Sequence, residues 1–499
     1  MRNPVRYALL TVALGILAGC GGGSSGMPGG GPTPPPPTPG PIQAIRISSD
    51  PFVNASSQHA TEVEPDIVAS GATLVVALQQ GRFPAAGSSD VGFATSQNGG
   101  LTWTAGSLPG TTTNSTPAGP YDSVSDPSVA FDAKHIVWLM SSLPILFSNA
   151  PTPAVLVNRS IDGGLTWGNP VSIAPGQVSN DKDWITCDSN AGSPHYGNCY
   201  VEWDDPSAND LIHMSTSSDG GVTWSAPANT ADNATGIGGQ PLVQPNGTVI
   251  VPINDAFQAN MLSFRSTDGG ATWSSTVSFG IANHLVGGGM RTSPLPSAAM
   301  DASGKVYLAW QDCSFRVGCA SNDIVIRTTM DGVSWSPLAR VPIDATTSTV
   351  DHFIPGIGID PTTSGAGAHI GLTYYYFPDA GCSTACELFV GFVGSLDGGA
   401  TWTAPQTIAG PMSLSWLAQT TQGPMVGDYI ATAFSGGQPI GVFAIANPKG
   451  VFFDEGMYVP KPGFLTLHSA AMRASLGERP VRGAHSDHGP RQGLPIRIR

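Results

Sequence analysis

A short motif recurs six times along the chain: Ser or Thr, a spacer, Asp or Asn, one or two Gly, and a Trp shortly after. The copies are SQNGGLTW at 96–103, SIDGGLTW at 160–167, SSDGGVTW at 217–224, STDGGATW at 266–273, the shortened TMDGVSW at 329–335, and SLDGGATW at 395–402. Successive closing Trp residues stand 64, 57, 49, 62 and 67 apart. That period is longer than a helical solenoid needs and suits four short antiparallel strands with their loops. Each copy reads as a hairpin turn, in which Ser and Asp side chains bind turn backbone, Gly supplies positive φ and Trp packs on its own sheet. The repeat therefore predicts an all-β chain, a single β-propeller of four-stranded antiparallel blades, and gives the motif itself a structural role.

Strand patterns between the motifs support this. In the second repeat, apolar runs at 127–131, 135–140, 154–159 and 170–174 make four strands. Beyond Trp402, runs at 425–434, 439–446 and 452–459 make three more, and 42–48 can supply a fourth. A ring closed by both termini leaves no exposed sheet edge, so seven blades are expected, with six as the alternative. The motif turns join third to fourth strands, so function is expected on the opposite face. There the opening residues of the innermost strands form a polar ring: Glu64, Asp126, Asp183, Gln240, Arg291, His352 and Asp428. Loops on the same face add Arg82 and Asp90, the acids Asp204, Asp205 and Asp210, and Asp312, Arg316 and Asp323.

The motifs resemble the Asp-box (BNR) repeats of sialidases and related propellers, over roughly residues 60 to 410, a spread consistent with repeat architecture. The resemblance implies three arginines clamping a substrate carboxylate, an Asp as acid/base and a Tyr nucleophile activated by a Glu. The stretch LQQGRFPAAGSSDVGFATS before the first box resembles the family's second strand and loop, which makes Arg82 a clamp residue and Asp90 the acid/base. Arg291 and Arg316 are candidates for the other two arginines, and Tyr429 for the nucleophile with Glu64 or Glu202 as partner. Asp126, Asp183, His352 and Asp428 are expected to contact substrate. The family's Phe-Arg-Ile-Pro segment is absent; Glu62-Val63-Glu64-Pro65 stands in its place, and carboxylates there repel an acidic sugar. The expected activity is an exo-glycosidase acting on terminal glycan residues. The alternative is a non-catalytic propeller binding carbohydrate or protein, with Trp184, Trp203, Tyr374, Tyr375, Tyr376 and Trp416 available for stacking.

The N-terminus carries Arg2 and Arg6, an apolar run from Tyr7 to Leu17 and then Leu-Ala-Gly-Cys at 17–20. This reads as a signal peptide over 1–19 that resembles a bacterial lipobox, with Cys20 the lipidated residue; an ordinary secretory signal is the alternative. A Gly/Pro-rich tether follows to residue 41, then the propeller at 42–460 and a tail at 461–499 that reads as disordered. A lipid-anchored place in the bacterial cell envelope, at the outer membrane, is expected. The remaining cysteines lie close in sequence as Cys187 with Cys199, Cys313 with Cys319 and Cys382 with Cys386, which in an exported chain suggests three disulfides, with free thiols or a metal site the alternative.

Residues 42–460 carry twelve Lys or Arg against 33 Asp or Glu, which disfavours nucleic acid and anionic membrane as partners, so contact with a membrane is expected only through the lipid. A glycan is the expected partner of a monomer. No nucleotide loop or His-Glu-x-x-His zinc motif is present, and no cofactor is expected. A structural Ca²⁺ in the acidic loops, on Asp204, Asp205 and Asp210 or on Asp181, Asp183 and Asp188, is the alternative.

Overall fold

The computed structural model describes residues 42–467, apart from 149–151, 177–178 and 384, and the backbone of 472–473. The signal segment, Cys20, the tether and most of 461–499 lie outside the described residues. Strand β1 is Ala44–Arg46. The first sheet holds β2 (Glu62–Ser70), β3 (Thr73–Arg82), β4 (Ser88–Ser96) and β5 (Thr104–Ser107), and the second, joined to it by one bridge between Ser88 and Val124, holds β6 (Ser123–Asp132), β7 (Val137–Ile145), β8 (Val155–Ser160) and β9 (Val171–Ile173). The third holds β10 (Asp181–Cys187), β11 (Cys199–Asp205), β12 (Leu211–Ser217) and β13 (Ala228–Asn229). The fourth begins with two short inner segments, β14 (Gly236–Ile237) and β15 (Leu242–Val243), followed by β16 (Val249–Asp255), β17 (Asn260–Ser266) and β18 (Val277–Ile281).

The fifth sheet holds β19 (Ser297–Met300), β20 (Val306–Asp312), β21 (Asp323–Thr329) and β22 (Ala339–Arg340). In the sixth, β23 (Asp351–Ile359), β24 (Ile370–Phe377), β25 (Glu387–Ser395) and β27 (Gln406–Ser413) pair, while β26 (Thr401–Trp402) stands off the path. A small hairpin, β28 (Ala418–Thr420) and β29 (Gly423–Met425), precedes the last sheet of β30 (Ala431–Ser435), β31 (Gln438–Ala446) and β32 (Glu455–Pro460). Its fourth strand is β1, antiparallel to β32 with Ala44 opposite Pro460. Every pairing within these sheets is antiparallel, and no α-helix occurs among the described residues.

The innermost strands follow one another side by side: β2, β6, β10, β15, β19, β23, β30, and β30 again beside β2. All seven line one cavity of 530 Å³, with Trp184, Phe131 and Phe434 on its wall. The apolar core sits between neighbouring sheets. Leu139 and Val157 of the second meet Ile185 and Trp203 of the third, and a larger group joins the sixth, seventh and first sheets around Phe392, Phe443 and Leu74. Each such large side chain, buried outright, contributes about 1.5–3 kcal/mol. Past β32, Leu465 and Leu467 are also buried against this group, and Met472–Arg473 pairs with β26.

The motif turns owe their sequence to two demands. Locally, Asp162 accepts from the Ser160 hydroxyl at 2.8 Å, the Thr166 amide at 3.0 Å and the Thr166 hydroxyl at 2.5 Å, while Trp167 Nε1 donates to the Gly164 carbonyl at 3.1 Å. Across the gap, the same Gly164 carbonyl accepts from Thr95 of the preceding sheet at 2.7 Å. A Cβ on Gly164 would sit 2.7 Å from a methyl of Val75, and φ there is +81°. Turn after turn docks this way: Gly221 on Leu139, Gly270 on Tyr200, Gly332 on Ile250, and Gly100 of the first sheet on Ile440 of the last. Two arginines on third strands serve this docking, Arg159 donating to the Gly220 carbonyl and Arg265 to that of Asp331.

Three disulfides join the expected pairs. Cys187–Cys199 links facing positions of β10 and β11, while Cys313–Cys319 and Cys382–Cys386 close loops of the fifth and sixth sheets.

Candidate functional site

The channel mouth opposite the motif turns is built by a repeated kink. In β2, β6, β10 and β23 the register slips where the strand opens, and one residue takes positive φ: Glu64 (55°), Asp126 (48°), Lys182 (49°) and Ile354 (47°). Such a conformation costs a non-glycine residue about 1–3 kcal/mol and persists only where surrounding structure enforces it. Three of the four precede a proline, Pro65, Pro127 and Pro355.

The kinks bring charge together. Lys182 Nζ lies 2.6 Å from Asp126 Oδ1, 2.9 Å from Asp428 Oδ2 and 3.5 Å from Glu64 Oε1. Arg291 grips Asp428 from the other side through both Nε, at 2.7 Å, and Nη2. Gln79 donates to Glu64, and the Lys182 ammonium sits 5.0 Å above the Tyr429 ring. Every charged group here is buried, Arg291 the least so at 9% exposure. Burial is the largest influence on Glu64 and, with the Asp126 and Asp428 charges, outweighs Lys182 and pushes its carboxyl up to about 7. Burial also opposes ionisation of Asp428, but Arg291 and Lys182 prevail and hold it well below the usual carboxylate range.

The remaining candidates divide around this cluster. Arg82 lies near it, but Nη1 is spent on the Phe83 carbonyl at 3.0 Å and on that of Gly87, and Nε on Met425 Sδ at 3.4 Å. Burial first, then the neighbouring Arg291 charge, brings its pKa down to about 10. Tyr429 donates its hydroxyl to the Pro127 carbonyl at 3.0 Å. Burial and the surrounding Glu64, Asp126, Asp183 and Asp66 push that phenol well above its usual range, the reverse of what a tyrosyl nucleophile needs.

Asp90 stands apart beneath residues 111–112, accepting from the Thr111 hydroxyl and its own strand's Val91 amide, with its pKa pushed up by burial to about 8. Arg316 and His352 belong to a second network in the fifth and sixth sheets. Arg316 binds Asp323 at 2.5 Å and Asp344 at 2.7 Å, and Arg340 binds the same two acids. Buried His352 is pushed down to about 4, chiefly by burial, and so is neutral. Asp323, Asp344 and His352 each offer a ligand atom within 4.8 Å of the others, yet Arg316 and Arg340 already engage both carboxylates. In the acidic loop, Asp205 caps a one-turn 3₁₀ segment through the Ser207 amide, and Asp188 accepts from Asn190 and Ser193. Trp203, Tyr374 and Tyr375 are buried at 0–1% exposure, so they form core and not a stacking platform.

Lys182 is the residue that sequence reasoning passed over. Lining up Asp183 with Glu64 and Asp126 put an acid in the ring, but the kink falls one residue earlier, and Lys182-Asp183 corresponds to Glu64-Pro65 and Asp126-Pro127. The available signal was that alignment, together with the scarcity of basic residues in an acidic body.

No protein-family model matches the chain. A xyloglucanase from Paenibacillus sp is 31% identical over 125 residues, which cover 23% of this chain and 11% of that relative. Among solved structures, an ulvan lyase of polysaccharide lyase family PL25 is similar at a TM-score of 0.48 and 12% identity, covering 87% of this chain and 98% of the lyase. The intramolecular trans-sialidase of Ruminococcus gnavus is similar at a TM-score of 0.39 and 13% identity, covering 80% and 93% respectively.

Proposed function

We propose that the chain is a seven-bladed β-propeller, closed by β1 on β32, that hydrolyses terminal residues of a glycan at the kinked mouth of its channel. The closure is supported by the single cavity shared by seven inner strands and by the first motif turn docking on the last sheet. The observation carrying the activity is a pair of carboxyl groups in one cluster whose acidities are driven apart: Glu64 near 7 and Asp428 held ionised. Glu64 donates the proton to the departing oxygen, and Asp428 supplies the negative charge that meets the cationic sugar, a carboxylate in the role the sialidase resemblance gives to Tyr429. Both contact one nitrogen, at 3.5 and 2.9 Å, a proximity that favours the about 5–5.5 Å spacing of a retaining mechanism over the about 6.5–9.5 Å of an inverting one. Because Arg82 and Arg291 are already neutralised or spent, a neutral sugar suits the mouth better than sialic acid.

The burial of every charged group at the mouth favours a second reading, a non-catalytic propeller lipoprotein that binds carbohydrate through its loops. In both readings the protein acts from the bacterial envelope, tethered through Cys20. Hydrolysis of a fluorogenic panel of terminal sugars, sialosides included, by the full chain and by Glu64→Gln separates them. Turnover of a neutral sugar that the variant loses supports the enzyme; binding on a glycan array with no turnover supports the binder.

A further inference from the structure

The third sheet carries a second concentration of acid that the proposed activity does not use. Asp181 lies directly opposite Asp204 across β10 and β11, and Glu202 faces Trp184 two residues along the same strand. Asp181, Asp183, Glu202 and Asp204 are each 0–1% exposed. Both carboxyl oxygens of Asp204 and Oδ2 of Asp181 meet no hydrogen-bond partner, while Asp183 has only the Ser141 hydroxyl and Glu202 only the Gly239 backbone amide near it. The fourth sheet closes over them: the Gly239 backbone presses on the Glu202 carboxyl so tightly that a Cβ there would collide with it.

Charge offers no relief. The groups facing this seam are Lys182 and Asp126 at its inner end, Arg291 beyond them toward Asp181, Asp210 beside Asp204, and on the fourth-sheet side Gly239 and Gln240, which carry none. Lys182 and Arg291 are committed to Asp126, Asp428 and Glu64. Four ionised carboxylates with no cation among them would each carry a heavy desolvation penalty at such burial. A shared metal is disfavoured by shape, since the one trio of ligand atoms found within 4.8 Å of one another among the described residues is Asp323, Asp344 and His352.

We propose that the seam between the third and fourth sheets is a proton-operated latch, closed while Asp181, Asp183, Glu202 and Asp204 carry protons and loosened as they ionise, so that the fold is built for acidic surroundings. Burial, the leading cause at all four, raises their acidities well above the usual carboxylate range. A carboxyl raised on folding contributes its stability in full below its unfolded pKa of about 4 and loses it as pH rises toward the folded value. Within that window, each proton held only by the folded state changes the folding equilibrium about tenfold per pH unit.

The test is urea unfolding of the full chain between pH 4.5 and about 8, for the wild type and for the isosteric double variant Glu202→Gln, Asp204→Asn. The expected result is a fall in stability with rising pH in the wild type, and in the variant a slope reduced by about a hundredfold in the folding equilibrium per pH unit. Equal slopes overturn the proposal. Infrared difference spectra provide a readout independent of the variant's stability: a protonated-carboxyl carbonyl band in the neutral wild type, diminished in the variant, supports the latch, and an identical spectrum overturns it. A rise in wild-type midpoint with added Ca²⁺ that the double variant lacks also overturns it, in favour of a cation site.

Discussion

The two ends of the channel are built by opposite strategies. At one end, each motif turn satisfies itself within about eight residues and reaches out to a neighbouring sheet through one carbonyl, as Gly164 does to Thr95. At the other end nothing is local: Lys182 meets Glu64, 118 residues away, and Arg291 meets Asp428, 137 residues away. The first design repeats because each copy faces the same neighbour. The second is singular because seven different strand openings share one axis, where like charges would repel and each side chain is answerable to the others. Repetition marks the scaffold; departure from repetition marks the place where chemistry is possible.

The largest effect that can break this contrast is at Lys182. Lys182→Ala removes the one ammonium in contact with Asp126, Asp428 and Glu64, leaving Arg291 on Asp428 and Arg82 nearby, and loss of one partner from a buried ionic group costs about 3–5 kcal/mol. Chemical denaturation should show that loss at neutral pH; a change within about 0.5 kcal/mol would mean the mouth is as tolerant as an ordinary surface. Next comes Gly164→Ala at the opposite end, where a methyl meets Val75 at 2.7 Å with φ at +81°. About 1–3 kcal/mol is expected, and the same substitution at Gly289, where no atom lies near, should cost less by the whole of the steric part.

Asp162→Ala removes four accepted hydrogen bonds from one exposed turn, and its cost of about 1 kcal/mol should be reproduced at the equivalent Asp219. Unequal costs at the two sites would contradict the equivalence of the turns. The smallest effect is in pH. Burial works against ionisation of Asp162, but the Thr166 hydroxyl and amide and the Ser160 hydroxyl bring it down to about 2. A carboxylate lowered on folding holds its contribution above its unfolded pKa and loses it as pH falls through the folded one. The turns should therefore persist to about pH 3, which amide exchange at Thr166 would register, whereas the mouth, with Glu64 near 7, should respond several pH units higher.

This difference also explains what was legible in the sequence. The motif turns, the all-β pattern and the three cysteine pairs could be read directly, because each depends on residues close together in the chain. The second-sheet strands matched to within a few residues, with β6 longer than 127–131 because its opening carries the kink, and β7 running past 140 to Ile145 to pair with that opening. The polar ring was legible as a set but not in register. A one-residue kink moved the inward position from Asp183 to Lys182, and in β23 the equivalent of Glu64 is Ile354, two residues past His352. Arg316 looked like a clamp residue because its disulfide-closed loop lies on the correct face, yet Asp323 and Asp344 hold it in another network. No spacing rule relates a side chain to partners more than a hundred residues distant.

In the proposed activity Glu64 delivers a proton from a buried site where Lys182 and Asp428 bear on its acidity, and the decisive experiment is the pH dependence of kcat/KM. With the best substrate from the glycan panel, the wild type should lose activity on an alkaline limb with its midpoint near 7, the value to which burial drives Glu64. Glu64→Gln should abolish that limb along with most of the rate. A wild-type profile flat through pH 7, or one that Glu64→Gln leaves unchanged, would contradict the account and remove the cluster from catalysis.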